Sequence, residues 1–229
     1  MGENLLVLLQ LCDSNLPTGA FSHSYGLETY IQADKVYDQK SFFHWLSVYI
    51  NEQLVYSDGL ACRLVYEALE KEDFQKIWKI DRMVTVQNLP RETREGTQRM
   101  GHRMLLLVKS LYDIPLLSEY SERIKQMQSF GHPAIVFAIV GYHLGVPTFT
   151  TILYYLYSVV LSLVQNAVRA IPLGQTSGQK IIQEFQTILT EETIAKIKAL
   201  NEEDFGIVSP GLELSQMQHE RVNIRIFMS

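Results

Sequence analysis

Leu60-Ala-Cys-Arg-Leu-Val-Tyr-Glu-Ala-Leu69 decides the fold class. Its apolar residues Leu60, Ala61, Leu64, Val65, Ala68 and Leu69 recur at the spacing of one helical face, which a strand of period two would scatter to both sides. The same period continues outward from this stretch. Phe42, Leu46, Tyr49 and Ile50 show it upstream; Met100, Met104, Leu107 and Leu111, then Ile181, Phe185, Ile188 and Leu189, show it downstream. The seven prolines stand where these stripes pause, and Ser209-Pro210 has the form of an N-cap followed by proline at the first helical position. No repeat, low-complexity tract or flexible linker divides the chain. The pattern predicts an all-α protein, a single compact multi-helix bundle of about ten helices over residues 1–220. Only the end breaks period. Val222, Ile224 and Ile226 alternate with Asn223 and Arg225, so residues 221–229 are expected to form an extended C-terminal arm.

Composition narrows the function classes. The 229 residues are 47% hydrophobic and 20% charged, which excludes a disordered chain and leaves room for a full core. A net charge of -5 argues against general nucleic-acid binding. Cys12 and Cys62 are too few for a disulfide scaffold, and a reducing cytoplasm fits them. Charge is uneven. Lys76 to Lys109 holds eight basic and three acidic residues, whereas Glu184 to Asp204 holds six acidic and two basic. Two readings stand: solvated helical faces, or complementary patches that steer protein partners.

One stretch raises the membrane question. Between Lys125 and Arg169 no Asp, Glu, Lys or Arg occurs, and residues 150–168 are long enough to cross a bilayer. Ser158, Ser162, Gln165, Asn166 and Arg169 nevertheless recur at helical spacing and give this segment a polar stripe. Ala134 to Leu144 is short for a span before Gly145-Val146-Pro147 interrupts it. The expectation is a buried helical hairpin and no membrane span.

Signals of catalysis are weak. Gly174-Gln-Thr-Ser-Gly178-Gln-Lys180 resembles a phosphate-binding loop, but its glycines are too close and Ile181 stands where the magnesium-binding hydroxyl belongs. It reads as a tight turn between two helices. No two of the six histidines lie three or four residues apart, so no metal pair is expected on one helical turn. His23 lies among Asp13, Ser14, Ser22, Ser24 and Glu28; helix caps at Asp13, Ser14 and Ser22 with a structural His23 hydrogen bond is the plain expectation. No activated nucleophile is apparent, and the chain is not expected to be an enzyme.

Four blocks carry a resemblance. Leu11-Cys-Asp-Ser-Asn-Leu-Pro-Thr-Gly-Ala-Phe-Ser-His-Ser-Tyr-Gly-Leu-Glu28 closely resembles the N-terminal signature of the urease accessory protein UreF family. Asn166-Ala-Val-Arg-Ala-Ile-Pro-Leu-Gly-Gln-Thr-Ser-Gly-Gln179, the His219-Glu220 pair and the end Arg221-Val-Asn-Ile-Arg-Ile-Phe-Met-Ser229 resemble its further elements in order and spacing. The stretch from Tyr37 to Gln128 matches only in helical character. The resemblance implies a cytoplasmic, all-helical, non-catalytic urease maturation chaperone. Such a protein joins UreD (UreH in some organisms) and the GTPase UreG on the urease apoprotein, couples GTP hydrolysis to nickel insertion, and commonly forms a homodimer. It implies no cofactor bound directly, since nickel and GTP act through partners. On this resemblance Arg221, Arg225, Ile226, Phe227 and Ser229 are expected to dock UreD, with Ile226 or Phe227 as anchor. His23, Ser24, Gly26, Glu28, Tyr30 and Arg169 are expected on the GTPase-facing side. The Arg169 charge should meet backbone carbonyls or a carboxylate at its helix end. A competing reading is a direct nickel carrier with Cys12 and His23 among its ligands.

Overall fold

Capping residues set where the helices of this chain start. In the computed structural model, which describes residues 2–229, Asp38 accepts a bond from the Ser41 amide at 2.8 Å and Ser41 Oγ accepts one from the Asp38 amide at 3.1 Å, a reciprocal cap. Asp73 caps the next helix through the Lys76 amide at 3.0 Å. Pro115, Pro133 and Pro210 each occupy a first helical turn, where a missing N–H costs nothing. Ser209 is the N-cap residue as the sequence suggested, although its hydroxyl makes no cap bond.

The segments are α1 (Gly2–Leu11), α2 (Leu27–Gln32), α3 (Gln39–Tyr49), α4 (Leu60–Glu70), α5 (Phe74–Val86), α6 (Arg91–Leu111), α7 (Pro115–Lys125), α8 (Pro133–His143), α9 (Thr148–Ala170), α10 (Gln175–Thr187), α11 (Ile194–Ala199) and α12 (Pro210–Gln218). A π-helical segment, Ile50–Gly59, carries α3 into α4, and a second, Ile188–Thr193, carries α10 into α11. Among the described residues this makes ten continuous helices and no strand, so the all-α expectation holds.

Helix α8 lies at the centre. Every residue from Ala134 to Gly141 is buried, and α4, α6 and α9 pack around it. Removing charge from a helix that is apolar all round is what full burial requires. Helix α9 is long and apolar enough to cross a membrane, and half of its most apolar window is buried inside the protein. Its polar stripe turns toward the loop that precedes α2, where Asn166 is wholly buried and hydrogen-bonded. The phosphate-loop lookalike, expected as a turn, is instead the start of α10: Gly174 is its N-cap and Gln175 to Lys180 form its first turns, and Gly178 lets α10 approach α9, because a Cβ there would sit 3.1 Å from Val164.

Not every stripe faces inward along its full length. Met100 and Met104 are buried, but Leu111 is 47% exposed, because Leu105 and Val108 take over the core face toward the end of α6. One buried carboxylate ties three elements together. Asp81 on α5 accepts from Tyr120 Oη at 2.5 Å, from the Phe130 amide at 2.7 Å and from the His132 amide at 3.2 Å. A buried charge is tolerated where its oxygens are bonded in this way. The basic and acidic runs also meet within the chain, through Lys76 and Glu202 at 2.7 Å.

Candidate functional site

The N-terminal signature and the C-terminal arm, at opposite ends of the sequence, form one site. Gly26 adopts φ +88° ahead of α2, and a Cβ at that position would fall 2.5 Å from Ser215 Oγ. A glycine is therefore required twice over, for the left-handed backbone and for the close approach of α12. Thr29 Oγ1 fastens the same contact by donating to the Ser215 carbonyl at 2.8 Å. The approach brings His219, in the turn after α12, beside Glu28 on α2.

Charged groups converge there. His219 is fully buried, with Nε2 2.9 Å from Glu28 Oε2 and Nδ1 2.7 Å from Glu92 Oε2. Arg225 Nη1 donates to Glu92 Oε1 at 2.7 Å, and the Arg225 guanidinium also donates to the carbonyls of Glu220 at 2.5 Å and Val222 at 3.1 Å. Glu28 in turn accepts the backbone amides of Ile226 at 2.5 Å and Phe227 at 3.1 Å. Burial works to raise the Glu92 carboxyl, but the bonds from His219 and Arg225 prevail and hold it below the usual carboxylate range. Charge-assisted bonds to backbone amides of this kind fix a segment that has no regular structure of its own.

A second set of bonds closes the end of the arm. The Met228 amide donates to the Ser22 carbonyl at 2.7 Å, and the Ser24 amide donates to the Ser229 carbonyl at 2.5 Å. His23 Nδ1 lies 2.7 Å from Ser229 Oγ. Burial first, and then the charges of Arg99, Arg103 and His219, push the His23 imidazole down to about 4, so this ring is neutral. Asn166 Nδ2 donates to the His23 carbonyl at 2.8 Å. Arg169 meets the Phe21 carbonyl and Asn166 Oδ1, and its guanidinium lies over the Phe21 and Phe227 rings at 5.8 and 5.1 Å.

A family model described as UreF matches residues 36–186. The chain is 53% identical to the urease accessory protein UreF of Bacillus sp. (strain TB-90), over 99% of this chain and all of that relative. It is equally similar, at 53% over the full length of both chains, to the urease accessory protein UreF of Lachnoclostridium phytofermentans. The chain belongs to the UreF family. The family match falls largely on the stretch where the four blocks gave no resemblance, and the two relatives cover the blocks as well.

Within this UreF chain the two expected residue groups are neighbours. His23, Ser24, Gly26 and Glu28 are buried, Tyr30 is half-buried and Arg169 is exposed. In the arm, Phe227 and Ser229 turn inward, whereas Arg221, Arg225 and Ile226 lie at the surface. The helix caps expected at Asp13, Ser14 and Ser22 give way to a different arrangement. Asp13 closes an Asx turn on the Asn15 amide at 2.8 Å, and Ser22 offers its carbonyl to the arm. Cys12 and His23 do not share a site: the Cys12 thiol, pushed up to about 12 by burial, donates to the Tyr154 carbonyl at 3.2 Å. Sequence reasoning missed Glu92. It lies in the first turn of α6, in the stretch without motifs, and only the placement of His219 marks it out.

Proposed function

We propose that this chain is a non-catalytic urease maturation chaperone, which joins UreD/UreH and the GTPase UreG on the urease apoprotein and couples GTP hydrolysis to nickel insertion. Membership of the UreF family supports the urease role. One observation supports the docking half of the reading. Ile224, Ile226 and Met228 are 81%, 58% and 57% exposed, while the intervening Phe227 and the terminal Ser229 are buried. A segment without regular structure, bent at Ile226 and Phe227 and fastened along its backbone, with Ile224, Ile226 and Met228 exposed, has the form of an apolar docking ridge. Ile226 then serves as the anchor for UreD, with Phe227 holding the ridge from beneath.

The GTPase-facing side in this reading is the N-terminal signature. Tyr30 and Arg169 are the accessible members of the signature group, and the buried four shape the surface that presents them. No cofactor is bound directly in this reading; nickel and GTP act through the partners, and the scaffold works as a cytoplasmic homodimer. The test is a double substitution, Ile226→Asp with Met228→Asp, assayed by co-purification with UreD. Both side chains leave the fold untouched, so the far-UV helical signal stays and capture of UreD is lost. Undiminished capture overturns the docking role of the arm.

A further inference from the structure

Buried polar atoms without partners gather at one place in this fold. Among the described residues, Gln53 Oε1, Gln87 Nε2, Asn88 Oδ1 and Thr93 Oγ1 are each buried and make no hydrogen bond within the chain. All four side chains line a single cleft with about 60 Å³ of free space, between the π-helical segment Ile50–Gly59, the turn from α5 to α6, and α9. Asp58 lines it too. Its oxygens accept from Tyr155 Oη at 2.6 Å and from Ser57 Oγ at 2.9 Å, one bond each, and an ionised carboxylate has room for more. Gln53, Ser57 and Asp58 all come from the π-helical segment, a form of helix that recurs at functional places.

The mixture of donors and acceptors selects the occupant. A metal ion would face the Gln87 N–H, an anion would face the Asp58 carboxylate, and an apolar group would satisfy none of these atoms. Water both donates and accepts, and a space of about 60 Å³ holds several molecules. We propose that the cleft is a hydration site, in which a cluster of ordered waters bonds Asp58 and the four unpartnered side chains and so joins the π-helical segment to the start of α6. Thr93 is only 3% exposed, so its hydroxyl depends on this internal water and not on bulk solvent. Polar side chains are thereby satisfied in a place where a dry core would demand apolar ones. The hydration site does not depend on the docking role of the arm.

The sign of a stability change tests the site in solution. Thr93→Val keeps the shape of the side chain and removes only the hydroxyl. In a dry cleft this relieves a buried group that has no partner, and the urea midpoint of the full chain rises. In a hydrated cleft it breaks a bond to water, and the midpoint falls. A lower midpoint for T93V is expected; an unchanged or higher one overturns the proposal. If T93V fails to fold, a crystal structure of the wild-type chain at a resolution that shows ordered solvent decides. Waters bonded to Asp58 and to the four side chains uphold the proposal, and a dry cleft, or a metal ion or organic molecule bound at Asp58, overturns it.

Discussion

Glu28 shows what a single side chain does in this fold. Its two oxygens accept two backbone amides of the arm and one nitrogen of His219, so it serves as the receptor for a segment 198 residues away. Glu28→Ala leaves those donors buried without partners and should cost about 3 kcal/mol of stability or more, measured by urea unfolding. His23 sets a pH dependence. Its native imidazole titrates at about 4 and the unfolded one near 6.5, so between these values the unfolded chain binds the extra proton. Stability should therefore decline as pH falls from 6.5 toward 4, and the depressed Glu92 carboxyl adds to the same trend at its acid end. His23→Asn should flatten the upper part of that decline in a denaturation series. Residues of the signature were visible in the sequence, but their partners were not. Nothing about Glu92 in the sequence foretells a bond to His219, because that pairing depends on the approach of α12 to α2 through Gly26.

At the scale of elements, the helical period was readable because burial of one face leaves a repeating trace. Leu60, Ala61, Leu64, Val65, Ala68 and Leu69, like Phe42, Leu46, Tyr49 and Ile50, lie in the core as their spacing demands. The joins between these stripes were less readable. Residues 50–59 form a π-helical segment that makes α3 and α4 one continuous helix. A wider turn changes which residues share a face, and its mixed sequence, from Asn51 to Asp58, gives the period no trace. Close helix crossings are equally silent in sequence. A Cβ on Gly101 would fall 1.8 Å from the Gly131 carbonyl oxygen, where α6 meets the loop before α8. Gly101→Ala should therefore lower stability by about 2–4 kcal/mol despite its better helix propensity, as thermal or chemical unfolding would register. An unchanged midpoint would show that the crossing yields without cost.

Across the whole molecule, the two ends of the chain close on each other. The signature loop lies between the polar stripe of α9 and the arm, and Arg169 spans both by covering Phe21 and Phe227. Sequence resemblance assigned these groups to two different partners; the fold makes them adjoining parts of one surface. The apolar run that raised the membrane question becomes α8, buried on every side, and α9, whose stripe receives the loop. Long-range pairing of this kind cannot be read from periodicity, since each segment carries only the record of its own buried face. The scaffold reading makes the arm the point at which this surface meets UreD. Size-exclusion chromatography with light scattering, on the full chain mixed with UreD and UreG in the presence of nickel and GDP or a GTP analogue, tests that claim most directly. The account predicts a stable mixed complex that is lost when Arg225–Ser229 is deleted while the helical signal persists; a complex that forms equally well without those residues would contradict it.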